Sequence, residues 1–166
     1  MKIRRTGFMV VILGCMLLAH GTYAEKPSDA DALKGITQGN VVWDVTIGSP
    51  GKLLFLLKVI EETYGDLERQ DVEPDMVFLF HGPVMKLIST NPLDLPLDEE
   101  EAREQALELI RKMSNLPGVR MESCSVSARI LGIGNDTIIS GIKPVGNTFV
   151  SQIGYQQKGY AMIPIH

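Results

Sequence analysis

The stretch from Asp75 to Phe80 reads DMVFLF and is followed by His81, Gly82 and Pro83. A continuous apolar run of this length is typical of a strand that is covered on both faces, as strands of parallel sheets are. The histidine, glycine and proline that follow favour a turn. The stretch therefore predicts a buried strand at the centre of a parallel sheet, with helices on both of its faces.

Strand and helix patterns alternate on either side of this segment. Further strands are predicted at 40–47, 118–123, 142–145 and 160–163, and helices at 52–67, 98–116, 125–131 and 148–158. Strands that alternate with helices are typical of parallel sheets, because each crossover helix packs on a face of the sheet. The sequence thus predicts an α/β protein with three layers, α/β/α, and a mostly parallel five-stranded sheet.

Residues 1–24 have the order of parts of a signal peptide. Lys2, Arg4 and Arg5 precede an apolar run over residues 7–19, and the segment ends at Ala24. The run is shorter than the about 20 helical residues that a bilayer core requires, so we expect no stable membrane insertion after cleavage. Cleavage after Ala24 would leave a flexible arm at 25–38 and one domain at 39–166, in the periplasm or secreted.

The segment from Ile12 to Cys15 also resembles a bacterial lipoprotein processing site. Lipidation of Cys15 would tether the domain to a membrane instead of releasing it. We rank this interpretation second, because apolar residues continue past the cysteine at 16–19.

The charge balance argues against nucleic acid as a partner. Removal of residues 1–24 takes away three of the 16 basic residues and none of the 20 acidic ones, so the formal charge falls from −4 to −7. A protein that binds phosphate backbones needs a basic surface, which this composition does not supply.

Cleavage would leave Cys124 as the only cysteine, because Cys15 is removed with the signal peptide. The mature chain could then form no internal disulfide, although its compartment permits disulfides. An unpaired thiol in that setting indicates a buried cysteine, an intermolecular bridge or a thiol that is kept for chemistry.

Three candidate site residues end predicted strands: Gly48, His81 and Cys124. Ligands of parallel sheets bind beyond the carboxyl ends of the strands, so these residues would face one crevice if their strands are neighbours. A helix that begins directly after Cys124 would direct free N–H groups at the sulfur and favour the thiolate. That form accepts a sulfur atom, whereas the alternative is a cysteine buried as a small apolar residue.

His81, Gly82 and Ser125 complete the predicted site as binding residues. His81 can orient a ligand or exchange protons with the thiol, although a histidine before Gly-Pro is also a common turn residue. Ser125 has the alternative role of a helix cap. No cofactor or metal site is predicted, because the sequence has no CxxC or HExxH pattern and its methionines are scattered.

Three segments together resemble the DsrE/DsrF-like family of small α/β proteins. They are FLFHGP at 78–83, CSVSARILG at 124–132 and QIGYQQKGYAMIPI at 152–165. The resemblance covers nearly the whole chain from Val41 onward, with the segments in the family's order and at comparable spacings.

The resemblance implies a function for Cys124. In sulfur-relay members of the family, a cysteine at the end of a central strand carries sulfur as a persulfide, with a small residue four positions later and a glycine eight positions later. Cys124, Ala128 and Gly132 match that pattern. The resemblance further implies a homotrimer or homohexamer, and a sulfur donor or acceptor protein, or an inorganic sulfur species, as partner.

Export is the feature in which this sequence departs from the cytoplasmic relay proteins, since an exported domain would not meet their donors. Two functions follow from the sequence. One is an exported sulfur carrier or sulfurtransferase that uses Cys124. The alternative is a non-catalytic oligomeric module that binds a small ligand or assembles with other subunits, in which Cys124 is structural.

Overall fold

The computed structural model describes residues 26–166, so the predicted signal peptide and Cys15 lie outside the described part of the chain. The strands are β1 (Gln38–Val45), β2 (Glu73–Phe80), β3 (Val119–Cys124), β4 (Lys143–Val145) and β5 (Ala161–Ile165). The helices are α1 (Pro50–Arg69), α2 (Val84–Leu87), α3 (Leu97–Met113), α4 (Ser125–Ile130) and α5 (Thr148–Gln157). Over residues 26–166, no helix combines the length and the apolar character that crossing a membrane requires.

The five strands form one sheet in the order β4-β3-β2-β1-β5, and every neighbouring pair is parallel. This confirms the predicted α/β architecture, and the sheet is parallel throughout instead of mostly parallel. The central strand is β2, whose last five residues, from Met76 to Phe80, are completely buried. Its apolar run is continuous because both of its faces are covered by helices.

The two faces of the sheet are covered unequally. Helices α1 and α3 pack together over the larger core, which includes Trp43, Phe78 and Phe80. The opposite face has a small core of Val42 and Leu79 with Val77, against which α5 packs. Helix α5 therefore buries little apolar surface against the sheet.

Helix α5 is held mainly by polar contacts. Thr148 is its one buried residue. Gln152 Nε2 donates to Asp44 Oδ1 at 2.6 Å. Three apolar side chains of α5 remain more than half exposed, namely Phe149, Val150 and Ile153.

Two elements differ from the sequence prediction. Helix α1 spans residues 50–69, two residues more at each end than the predicted 52–67, and continues through Gly65. Leu67, beyond that glycine, packs against the main core, and burial of its side chain offsets the low helix propensity of glycine. The four-residue helix α2 was not predicted, because it is too short to develop a helical period.

The described part of the N-terminal arm contacts the C-terminal half of α1. Lys26 forms ion pairs with Glu62 and Asp66, and the N–H of Asp29 donates to Gln70 Oε1 at 2.8 Å. These contacts join exposed groups, which contribute little to stability individually. The flexibility of the arm stays a prediction.

Candidate functional site

The carboxyl ends of three neighbouring strands meet at one edge of the sheet. Strands β1, β2 and β3 are adjacent, so the condition set by the sequence is met: Gly48 and His81 follow β1 and β2, and Cys124 ends β3. The register pairs Phe80 with Ser123. His81 and Cys124 are the residues that directly follow this pair, so both lie at this edge of the sheet.

Cys124 ends β3 and occupies the N-cap position of α4, which begins at the next residue as predicted. Its exposed fraction is 4%, and it is a free thiol. It makes no conventional side-chain cap hydrogen bond. The N–H groups of the first turn of α4 are therefore left to stabilise the sulfur in its charged form.

The first residue of a second helix, α5, also lies near this sulfur. Thr148 is the first residue of α5, and its side chain is completely buried. Within residues 26–166, the Thr148 hydroxyl makes no hydrogen bond. The backbone N–H and the hydroxyl of this residue lie near enough to the sulfur of Cys124 to lower the pKa of the thiol. The sulfur thus lies where the N-terminal ends of two helices converge.

The donors around the sulfur outweigh the effect of its burial. Burial by itself raises the pKa of the Cys124 thiol, because desolvation disfavours the thiolate. The N–H and hydroxyl groups of Thr148 and Ser127 act in the opposite direction. The net result lowers the pKa of Cys124 from 9.0 to about 7. A large fraction of the thiol is therefore ionised at neutral pH, which makes it nucleophilic.

Gly82 acts on the sulfur through Ser127. The backbone N–H of Gly82 donates to Ser127 Oγ at 3.1 Å. The Ser127 hydroxyl accepts this bond with a lone pair, so its own proton remains available to Cys124. Gly82 has a φ of +65°, a conformation that glycine adopts without the steric cost of a side chain. The predicted binding residue Gly82 is thus placed at the site through its backbone.

His81 lies in a separate hydrogen-bonded group beside the thiol. Its Nε2 is 2.6 Å from Asp44 Oδ1, and the same oxygen accepts from Gln152 Nε2 at 2.6 Å. The ring of Phe149 packs edge-on against the imidazole, with 5.2 Å between the ring centroids. His81 is therefore held from β1 by a carboxylate and from α5 by an aromatic ring.

Ser125, the other predicted binding residue, is half-buried and accepts a hydrogen bond from Asn135 Nδ2 at 3.0 Å. Sequence reasoning missed Ser127, Thr148 and Asp44. Ser127 had a usable signal, since it is the third residue of the helix that follows the cysteine. Thr148 and Asp44 had no local signal, because they reach the site from other parts of the chain.

The arrangement is suited to sulfur chemistry at a single thiolate. In the part of the chain from 26 to 166, no group of three or more His, Cys, Asp or Glu side chains is arranged to hold a metal ion. Donors from two helix ends surround the sulfur, and a histidine lies on the neighbouring strand. Such a site can stabilise a thiolate both as a nucleophile and as a leaving group.

The chain is similar to known proteins in its structure. Neither a protein-family model nor a curated protein sequence matches the chain. The structure of MTH1491, a protein of unknown function from Methanobacterium thermoautotrophicum, is similar with a TM-score of 0.58 and 19% identity, over 76% of this chain and 98% of that one. The structure of the ychN protein from E. coli is similar with a TM-score of 0.51 and 13% identity, again over 76% and 98% of the two chains. At these identities the likeness concerns the fold, and the chain has a small α/β fold of the DsrE-like type.

Proposed function

We propose that this protein carries sulfur as a persulfide on Cys124 and acts as a sulfur carrier or sulfurtransferase. The observation that carries the proposal is the position of a nearly buried thiol at the end of β3, where α4 begins and the first residue of α5 lies close by; its lowered pKa supports this. Burial without donors would raise the pKa, so the donors of Thr148 and Ser127 distinguish this cysteine from a core residue. The DsrE-like fold is compatible with sulfur relay.

The loading step follows from the chemistry of a thiolate. With thiosulfate as donor, the sulfur of Cys124 attacks the outer sulfur of the donor, and a new S–S bond forms. The S–S bond of thiosulfate breaks, and sulfite leaves with the bonding electron pair. The product is the persulfide anion on Cys124, so charge and atoms balance without an added oxidant.

Mass spectrometry tests the loading step. The protein is incubated with thiosulfate or polysulfide, and its intact mass is measured without reductant. We expect a gain of one sulfur atom, which peptide mapping assigns to Cys124. Cys124→Ser should gain nothing, whereas Ser125→Ala should load like the unmodified protein, because the Ser125 hydroxyl is bonded to Asn135. An inert thiol in the unmodified protein would overturn the proposal.

We propose that the chain is exported by residues 1–24 and works in the periplasm or outside the cell. The order of basic, apolar and small residues in that segment supports this location. Its sulfur donor or acceptor would then be an inorganic sulfur species or a protein of the same compartment. The intact mass of protein isolated from its native compartment locates the mature N-terminus: a start after Ala24 supports export, and a lipid on Cys15 supports the tethered form.

We propose self-association as a homotrimer or homohexamer. The exposed apolar side chains of Phe149, Val150 and Ile153 on α5 support the proposal, because clustered apolar surface favours association. Light scattering coupled to size-exclusion chromatography gives the molar mass of the assembly. A monomer at all concentrations would contradict the proposal.

The second candidate function is a non-catalytic oligomeric module with a structural cysteine. The observation that favours it is the 4% exposure of Cys124, which restricts access to the sulfur. Thiol titration separates the two functions. Rapid labelling of the native protein supports the carrier, whereas a thiol that reacts only after denaturation supports the module.

A further inference from the structure

We propose that His81 accepts the proton of the thiol that takes sulfur from Cys124, and that Asp44 is the residue that positions His81 for this transfer. The proposal rests on the proposed function, because it concerns the step that unloads the persulfide. Two groups of residues at one edge of the sheet then have different roles. The donors of Thr148 and Ser127 stabilise the sulfur, and the His81 group handles the proton.

The hydrogen bond to Asp44 determines which nitrogen of His81 can accept a proton. A carboxylate only accepts hydrogen bonds, so the proton of the neutral imidazole lies on Nε2, which is 2.6 Å from Asp44 Oδ1. Nδ1 then carries the free lone pair and can act as the base. The side chains of His81 and Asp44 are only 15% and 17% exposed, so the contact is largely shielded from water.

Gln152 keeps Asp44 in place. Its amide donates to the same oxygen that faces His81, at 2.6 Å. A carboxylate oxygen that receives two donors from different directions has little freedom to rotate. The bond to His81 is therefore supported from α5 as well as from β1.

Two consecutive residues of α5 connect the thiol with the histidine. Thr148 lies near Cys124 and lowers the pKa of its thiol, and Phe149 packs against the His81 ring. Consecutive Cα atoms are about 3.8 Å apart, so the first turn of α5 covers both side chains at once. The β2–β3 register ends at the pair Phe80 and Ser123, so His81 and Cys124 are the next residues at the same edge of the sheet. A thiol that approaches the outer sulfur of a persulfide on Cys124 therefore comes close to the imidazole.

Transfer of the outer sulfur to the acceptor requires that the acceptor thiol lose its proton. The persulfide anion left by the loading step first takes a proton from water. Nδ1 of His81 then takes the proton of the acceptor thiol, and the resulting thiolate attacks the outer sulfur of the neutral persulfide. The new S–S bond forms while the S–S bond to Cys124 breaks, and that electron pair returns to Cys124 as a thiolate. The acceptor leaves as a persulfide, and the positive charge of the imidazolium is stabilised by Asp44. One sulfur atom moves without net oxidation or reduction.

Single-turnover transfer to two acceptor thiols tests the proposal. One acceptor is an alkyl thiol that is protonated at pH 7, and the other is an aromatic thiol that is already ionised. A base at His81 matters only for the first. We expect His81→Gln to slow transfer to the alkyl thiol at least tenfold, as is usual on loss of a general base, and to leave transfer to the aromatic thiol within about twofold. Asp44→Asn should show the same selectivity with a smaller loss.

The controls separate this proposal from the proposed function. Loading of Cys124 is confirmed by intact mass for each variant before transfer is measured, so failure to load contradicts the carrier function and not the role of His81. His166→Gln, at the other histidine of the domain, should transfer to both thiols like the unmodified protein. Equal loss of transfer to both acceptors in His81→Gln, or no loss to either, would overturn the role of His81 as the base.

Discussion

Thr148, the first residue of α5, lies near enough to Cys124 to lower the pKa of the thiol, although the two residues belong to different crossover units of the fold. Thr148 is also the one buried residue of α5. The residue that stabilises the thiolate is therefore also the most buried residue of this helix. Changes at Thr148 should affect the reactivity of the thiol as well as the position of α5.

The hydroxyl of Thr148 should lower the pKa of Cys124 measurably. Thr148→Val removes the hydroxyl and keeps the backbone N–H and the side-chain shape. We expect the pKa to rise from about 7 toward 9.0, because one of the donors that stabilise the thiolate is lost. The ultraviolet absorbance of the thiolate as a function of pH measures the change. Ser127→Ala should raise the pKa as well, and an unchanged pKa in both variants would contradict the assigned donors.

Ser125→Ala is the matched control for this titration. Ser125 lies in the same first turn of α4, but its hydroxyl is bonded to Asn135. The pKa of Cys124 should stay near 7 in this variant.

The stability of the protein should depend on pH through Cys124. The pKa of this thiol is lower in the folded chain than its ordinary value of 9.0, so the folded state binds fewer protons than the unfolded state between pH 7 and pH 9. The contribution is complete above about pH 9 and is lost as the pH falls through about 7. A shift of this size corresponds to at most about 3 kcal/mol.

Urea denaturation at pH 6 and pH 9.5 measures this contribution. We expect the free energy of unfolding of the unmodified protein, relative to Cys124→Ala, to be larger at pH 9.5. The comparison with the alanine variant removes the effects of the other titrating groups. A difference that is the same at both pH values would mean that the folded thiol has an ordinary pKa.

The exposed apolar surface of α5 should contribute to self-association. Ile153→Glu places a charge on a side chain that is 62% exposed, so the folded monomer should tolerate it. We expect the assembly to dissociate, because burying an unpaired carboxylate at an interface is costly. The molar mass in solution measures the effect. Phe55→Glu on α1, where the side chain is 64% exposed on the opposite side of the sheet, is the matched control and should leave the assembly intact.

Gly118 should be the glycine that tolerates a side chain least. It has a φ of +71°, and a Cβ at this position would lie 2.1 Å from the carbonyl oxygen of Pro74. Its own carbonyl accepts from the N–H of Met76, at the start of the fully buried part of β2. We expect Gly118→Ala to lower the free energy of unfolding by about 3 kcal/mol or more, because backbone strain and steric overlap combine.

Gly35 provides the comparison for Gly118. Its φ is +79°, but a Cβ there would meet no atom within 4 Å. Gly35→Ala should cost only about 1 kcal/mol, from the left-handed backbone conformation alone. Chemical denaturation of both variants gives the two values. Equal losses would show that the overlap with Pro74 is relieved without cost.

The architecture was predictable because its signals are local. The apolar run from Asp75 to Phe80 indicated a strand covered on both faces, and the alternating patterns around it indicated helices on both sides of a parallel sheet. Helix α1 extends two residues past its predicted end at 67, and packing of Leu67 against the core offsets the helix-breaking tendency of Gly65 within it. The short helix α2 has no period that a sequence pattern could detect.

The site was predictable only in part. The sequence by itself determined that Cys124 ends a strand and precedes a helix, since both signals lie within a few residues of the cysteine. Only the tertiary structure decided what surrounds the sulfur and the histidine, because Thr148 and Asp44 belong to distant segments that the parallel sheet brings to one edge. The pKa of a buried thiol depends on the balance of desolvation and hydrogen bonds, and that balance is set when α5 packs on the sheet.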